Sequence, residues 1–232
     1  MESVAIIPAR GGSKRIPRKN IKSFRGRPII SYSIETALKS RLFNKVIVST
    51  DDEEIAAVSK SYGAEVPFLR SAATSDDFTT TAEVIVEVVG ELKIRGELFD
   101  LACAIYPTAP FVSTESLKKG FDLLVKNKYT TVLPVCAFSY PIYRSFKLST
   151  EGRLEMLWPE NINRRSQDLP AVYHDAGQFY WINLHPFLHE KRLFSSNSGA
   201  IVVDELHVHD IDTENDWSMA EMKYSLLFPG NE

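Results

Sequence analysis

A mostly parallel, twisted β-sheet covered by helices on both faces is the fold this α/β sequence predicts, and three observations predict it. Val/Ile-rich runs recur along the first two thirds of the chain, segments of helical period separate them, and a Gly-Gly loop crowded with cations follows the first run. Near-continuous apolar strands are buried on both faces, which calls for helices above and below a parallel sheet joined by right-handed crossovers. Ligands of such sheets sit at the carboxyl ends of the strands, where the cationic loop falls.

The first strand is expected at 4–8 (VAIIP), with others at 45–50 (KVIVST), 65–69 (EVPFL), 101–107 (LACAIYP) and 130–135 (TTVLPV). Between them Ile30, Ile34, Ala37 and Leu38 share one helical face. Ile55, Ser59 and Tyr62 share another, as do Val84, Ile85, Val88, Val89 and Leu92, and Leu117, Phe121, Leu124 and Val125. Gly63 and Gly96 mark helix ends. The pattern changes near residue 137, where YRSFKLSTEGRLEMLWP reads as two strands around a Thr-Glu-Gly-Arg turn, followed by the helix-poor ENINRRSQDLP. One domain over 1–232 is expected, with a small inserted hairpin subdomain at about 137–175. From GQFYWINL the α/β style resumes, AIVVD and HVHDID read as strands, and a last helix begins near 213.

Composition narrows the function. With 44% hydrophobic and 25% charged residues the chain is ordinary and globular, and no apolar run reaches the 18 residues of a membrane span. MESVAIIPAR lacks a leader pattern, so a cytoplasmic location and no membrane partner are expected. The formal charge is −3, yet residues 6–20 carry five cations and no acid, leaving −8 for the rest. Nucleic acid, which needs basic charge spread over many phosphates, is a poor partner; a small, highly charged ligand suits better. Cys103 and Cys136 lie in apolar runs and read as buried thiols.

The loop IIPARGGSKRIPRKN brings Gly11, Gly12 and Ser13 after a strand, so backbone N–H groups can approach phosphate oxygens, while Arg10 and Lys14 supply charge for a triphosphate or pyrophosphate. It fits neither the Walker spacing nor the dinucleotide fingerprint. Further on, Thr80 and Glu83 have the spacing of a capping box. In HVHDIDTENDW a strand would put Asp210 and Asp212 on one face and His207 and His209 on the other; paired carboxylates suit Mg²⁺, and Asp212 alone also suits a helix cap.

The motifs IIPARGGSKRIPRKN, VIVSTDDEEIA, YGAEVPFLR, PTAPF and DIDTENDW occur in the order found in cytidylyltransferases that activate nine-carbon nonulosonic acids, and the chain resembles that CMP-sialic acid synthetase family over nearly its whole length. Within it, YPTAPF and RRSQDLPAVYHDAGQFYW are most similar to the branch acting on pseudaminic acid. The resemblance implies a nucleotide-diphospho-sugar transferase-like fold. It also implies attack of a sugar's anomeric hydroxyl on the α-phosphorus of CTP, giving a CMP-sugar and pyrophosphate with Mg²⁺ as cofactor. On the family pattern Arg10 and Lys14 hold the triphosphate, Lys19 and Asn20 lie near phosphates and ribose, and Arg70 and Thr80 align with cytosine-contacting positions. Asp210 and Asp212 match the metal carboxylates. Arg15 and Arg18 are either solvated charges or contacts to a second subunit.

For the sugar's own carboxylate, Arg164 and Arg165 are candidates, and Arg165 matches the family's substrate arginine. Tyr106 stands where sialic-acid synthetases carry a sugar-contacting Gln, which turns the expectation away from N-acetylneuraminate. His174, Asp175 and Gln178 are expected near the acylamino groups of a different sugar, with Tyr180 and Trp181 in the core. No general base stands out. The resemblance and the hairpin together imply a homodimer through residues 137–175. The competing readings are a synthetase for legionaminate or N-acetylneuraminate, a sugar-1-phosphate nucleotidyltransferase, and a non-catalytic nucleotide sensor.

Overall fold

The centre of the molecule is strand β1 (Ser3–Pro8), every residue of which is buried except the half-buried Pro8. The computed structural model describes residues 1–229. After β1 come the cationic loop and a two-residue hairpin, β2 (Ser23–Phe24) and β3 (Arg27–Pro28), then helix α1 (Ile30–Ser40), β4 (Lys45–Ser49) and α2 (Glu53–Ser61). Helix α3 (Thr81–Ile94), β5 (Leu101–Ile105), α4 (Thr114–Asn127) and β6 (Thr131–Ala137) follow. A second hairpin, β7 (Phe146–Leu148) and β8 (Leu154–Met156), precedes β9 (Tyr173–Asp175), β10 (Phe179–Asn183), α5 (Leu184–Glu190), β11 (Ser198–Val202) and α6 (Glu214–Leu227).

Six strands run in the order β11-β6-β10-β5-β1-β4, and β9 adds to β6. β1 is parallel to both neighbours, with Ile6 opposite Ile47 of β4 and Ala104 of β5. β11 is parallel to β6, whereas β10 is antiparallel to β5 and β6 alike. The sheet is therefore mixed, with only β9 and β10 running against the rest.

Period-2 alternation sorts the strand side chains into two cores. Ala5, Ile7, Cys103, Phe179 and Trp181 face Ile30, Ile34, Ile55, Leu117 and Leu124 of α1, α2 and α4. Val4, Ile6, Ala102, Tyr180 and Ile182 face Val84, Ile85, Val88 and Leu92 of α3 and Phe187 of α5. Burying a residue such as Ile85 or Leu117 completely stabilises the fold by about 1.5–3 kcal/mol. A third cluster joins α6 to the loop–hairpin region through Phe24, Tyr32, Trp217 and Tyr224. Both cysteines are buried and unpaired, and burial raises both thiols above their ordinary pKa.

Two expected strands are corrected. Residues 65–69 contribute a single bridge, Glu65 with Ile47: Glu65 N donates to Val46 O and Val48 N to Glu65 O, after which Pro67 offers no N–H to continue the ladder. HVHDID forms no strand either. A 3₁₀ turn occupies Glu205–His207, capped by Asp204 through the Leu206 amide. Side chains then take the backbone groups that a ladder would use: Lys223 binds the carbonyls of Glu205 and Val208, Lys19 that of Ile211, and Asp216 the amides of Asp212 and Thr213. The hairpin expected between 146 and 156 forms, with Phe146 opposite Met156 and Gly152 at φ 80° in its turn. It shares no ladder with the main sheet.

Candidate active site

The loop leaving β1 and the loop leaving β5 enclose a cavity of about 190 Å³ lined by Arg10, Ser13, Lys14, Lys19, Asn20 and Tyr106 among others. Asn20, buried, donates its amide to the Arg10 carbonyl at 2.9 Å and fixes the loop's return. Gly11 N donates to Asp51 Oδ1 at 2.8 Å, and a Cβ at Gly11 would stand 2.8 Å from Asp52 Oδ2. Glycine is required there by close approach. The end of β4 thus braces the cationic loop: Arg18, left-handed at φ 55°, forks onto Asp52 and also pairs with Glu54. Asp52 also caps α2 through the Ile55 amide at 2.9 Å.

The remaining cations meet carboxylates from two other segments. Arg10 pairs with Asp77 at 2.6 Å and donates to the Asp76 carbonyl at 2.8 Å, and Lys14 binds the second Asp77 oxygen. Arg15 pairs with Asp212 at 2.8 Å; Lys19 lies 3.6 Å from the same carboxylate and donates to Ile211 O at 2.6 Å. These contacts bring the 210–212 segment to the anion loop. Asp210 is exposed at one side, yet crowding by protein, and next the charge of Asp212, push its carboxyl pKa up. Two neighbouring carboxylates form an oxygen donor set suited to a hard divalent cation. Among the described residues no third acid, His or Cys joins them, so substrate oxygens and water would complete such a coordination shell.

A second cavity, of about 310 Å³, is lined by His174, Asp175, Gly177, His209, Asp210 and Lys223 among others. His209 therefore shares a cavity with Asp210, contrary to the opposite-face expectation, because the segment is not a strand. Asp175 accepts from Gly177 N at 2.9 Å and from the Tyr180 hydroxyl, and His174 Nδ1 meets the Asp175 carbonyl at 2.9 Å. Tyr106, part of the first cavity's wall, has its hydroxyl 3.2 Å from Thr81 Oγ1 and its ring 5.5 Å from that of Tyr180.

The sequence model of the family "Cytidylyltransferase" matches residues 4–209. The chain belongs to the cytidylyltransferase family. The pseudaminic acid cytidylyltransferase of Campylobacter jejuni subsp. jejuni serotype O:2 is 40% identical over 226 residues, 97% of each chain. The CMP-N,N′-diacetyllegionaminic acid synthase of Legionella pneumophila is 28% identical over 228 residues, 95% of each. Among solved structures, CMP:2-keto-3-deoxy-manno-octonic acid synthetase complexed with CTP superposes with a TM-score of 0.73 over 98% of this chain and 100% of that one. At 16% identity that likeness speaks for the fold alone.

In this cytidylyltransferase the other expected site residues lie on several separate segments. Arg70 is buried with Nε and Nη2 unpartnered, and desolvation lowers its pKa while Asp51 and Glu87 pull the other way. Thr80 is the N-cap of α3 in a complete capping box with Glu83. Gln178 is buried and donates its amide to the His207 carbonyl; it lines a separate cleft with Ser113 and Lys119, away from His174 and Asp175. Arg165 lies in an exposed turn, bidentate to Asp168 at 2.8 and 3.1 Å. Gly12 is exposed and Ser13 N turns back to Gly11 O at 3.0 Å. Sequence reasoning missed Asp51, Asp52, Asp77 and Lys223. The acids of STDD, directly after a parallel strand, carried a usable signal, since strand carboxyl ends converge on one site.

Proposed function

We propose that the chain transfers the cytidylyl group of CTP to the anomeric hydroxyl of a nonulosonic acid, pseudaminic acid in the first instance, releasing pyrophosphate in the cytoplasm. The observation that carries this reading is the convergence of the Arg10–Lys19 loop, the Tyr106 loop and the Asp210/Asp212 pair at the strands' carboxyl ends. The 40% identical relative is a pseudaminic acid cytidylyltransferase, which supports the choice of sugar.

In this reading Arg10 and Lys14 bind the triphosphate and balance the charge gathering on departing pyrophosphate. Gly11, Gly12 and Ser13 let the backbone approach phosphate, Asn20 keeps the loop's two ends together, and Lys19 links it to the acidic segment. Arg70 and Thr80 serve the base. Asp210 and Asp212 would hold Mg²⁺, which when bound supplies charge neutralisation at the reacting phosphoryl group. His174, Asp175 and Tyr106 face the acceptor side, where Tyr180 holds Asp175 in one orientation. Gln178, tied to the His207 carbonyl in a separate cleft, takes no part on the acceptor side in this reading. The subunit's own Arg165 is engaged by Asp168 and reaches a sugar carboxylate only by exchanging that partner. Residues 137–175 form the dimer contact.

The test is pyrophosphate release with CTP and Mg²⁺, offering pseudaminic, legionaminic and N-acetylneuraminic acids in parallel. Turnover with pseudaminic acid alone is expected, and Asp210→Ala should depress turnover far more than binding of either substrate. Release with sugar 1-phosphates instead, or binding of CTP without release under any condition, refutes the assignment.

A further inference from the structure

The loop between 75 and 80 places a carboxylate where an anionic ligand is expected. Asp77 Oδ1 lies 2.6 Å from Arg10 and Oδ2 binds Lys14, so its two oxygens bridge two cations in the manner of a phosphate. Among the described residues no other partner holds the Asp77 side chain. Around it the loop is open: Asp77 is exposed and Phe78 is 88% exposed. The fixed points lie to either side, in the Asp76 turn onto the Phe78 and Thr79 amides and in the Thr80 cap.

We propose that Asp77 is an internal competitor for the anion loop, a stand-in phosphate that CTP displaces on entry and that retakes Arg10 and Lys14 as pyrophosphate leaves. The inference rests on the reading of that loop as the triphosphate site. An exposed ion pair is worth little, so displacement costs little, while the same pair re-forming lowers the hold on a small polyanion. Lys14, and next Arg10, keep Asp77 ionised well into the acid range, so the competitor is charged at any working pH. Its consequence is turnover: a loop binding three or four phosphate charges tightly enough to select CTP would otherwise release pyrophosphate slowly.

The experiment measures binding of tripolyphosphate and of pyrophosphate by calorimetry to the wild type, to Asp77→Asn and to Asp76→Asn. The last removes an equal charge one residue away while an Asn keeps the local turn. Asp77→Asn is expected to bind both anions about 3- to 10-fold tighter, by a common factor, the range that two exposed ion pairs support together, with Asp76→Asn within about twofold of wild type. With CTP as substrate the variant should show a lower KM and stronger pyrophosphate inhibition. Unchanged or weaker binding in Asp77→Asn overturns the competition and leaves the site assignment standing, as does an equal gain in Asp76→Asn, which reduces the effect to the general field of the loop. If wild type and Asp77→Asn both bind neither anion, the triphosphate reading of the loop fails and the competitor with it. Binding that emerges only in Asp77→Asn supports the proposal in its strongest form.

Discussion

Asp52 serves the helix, the loop and the cations at once: it caps α2, forks with Arg18 and packs against Gly11. The Arg18 bond, followed by the Ile55 amide, holds its folded pKa below the value of about 3.9 for an unfolded Asp. A carboxylate depressed in this way contributes stability that is fully present above the unfolded value and is lost as pH falls through the folded one. Asp52→Ala should therefore cost about 1–2 kcal/mol at pH 7, the loss of a cap and a pair, and the gap between its urea midpoint and that of wild type should shrink below pH 4. A gap unchanged at pH 3 would exclude the charged form as its source. Arg10→Ala and Lys14→Ala should each raise the KM for CTP by about tenfold, the worth of a charge-assisted bond. At this scale the sequence was legible where partners are close in the chain: the Thr80–Glu83 box and the Gly11-Gly12 loop could be read directly. Asp51 and Asp77 reach the loop from 40 and 63–67 residues away, and no local pattern announces such pairings.

Among elements, α4 packs closely on β10. Trp181 stacks on Phe43 at 5.0 Å, meets Phe121 edge-on, donates Nε1–H to the Leu117 carbonyl at 2.9 Å and leaves room on α4 only for glycine. A Cβ at Gly120 would lie 2.8 Å from Trp181 Cδ1. Gly120→Ala gains helix propensity yet should destabilise by about 1–3 kcal/mol net, since a ring held on three sides cannot retreat. Thermal unfolding should report this as a drop of several degrees; a rise would mean that α4 shifts freely over the sheet. Strand runs and helix faces were readable from periodicity because burial on one or both faces dictates it. The direction of β10 was not, since an apolar run looks the same either way along. Pro67 shows the converse: its missing donor was in the sequence, but only the position of β4 tells which ladder it interrupts.

For the molecule as a whole, the inserted arm carries the apolar side chains that bear on assembly. Tyr140, Leu148, Leu154 and Ile162 expose 84, 69, 68 and 61% of their surface, apolar area that a second copy could cover. A homodimer through this arm is the expected state, and sedimentation at about 10 μM should find two chains in wild type and one in the double variant Leu148→Glu, Leu154→Glu. A wild-type monomer at that concentration would remove the arm from any interface. The sequence showed the arm as a change of style near residue 137, and its exposure followed only once its hairpin was seen to share no ladder with the main sheet.

The placement of β10 between β5 and β6 also sets an order of events during synthesis. Both flanking strands leave the ribosome first, with nothing to join them until residues 179–183 arrive, and β6 waits longer still for β11. A nascent chain of 170 residues carries β1, β4 and β5 as a completed parallel core, but presents the free margins of β5 and β6 to any neighbour. Translation pauses or truncations before residue 183 should thus yield aggregates, whereas loss of only the last few residues leaves every strand in place.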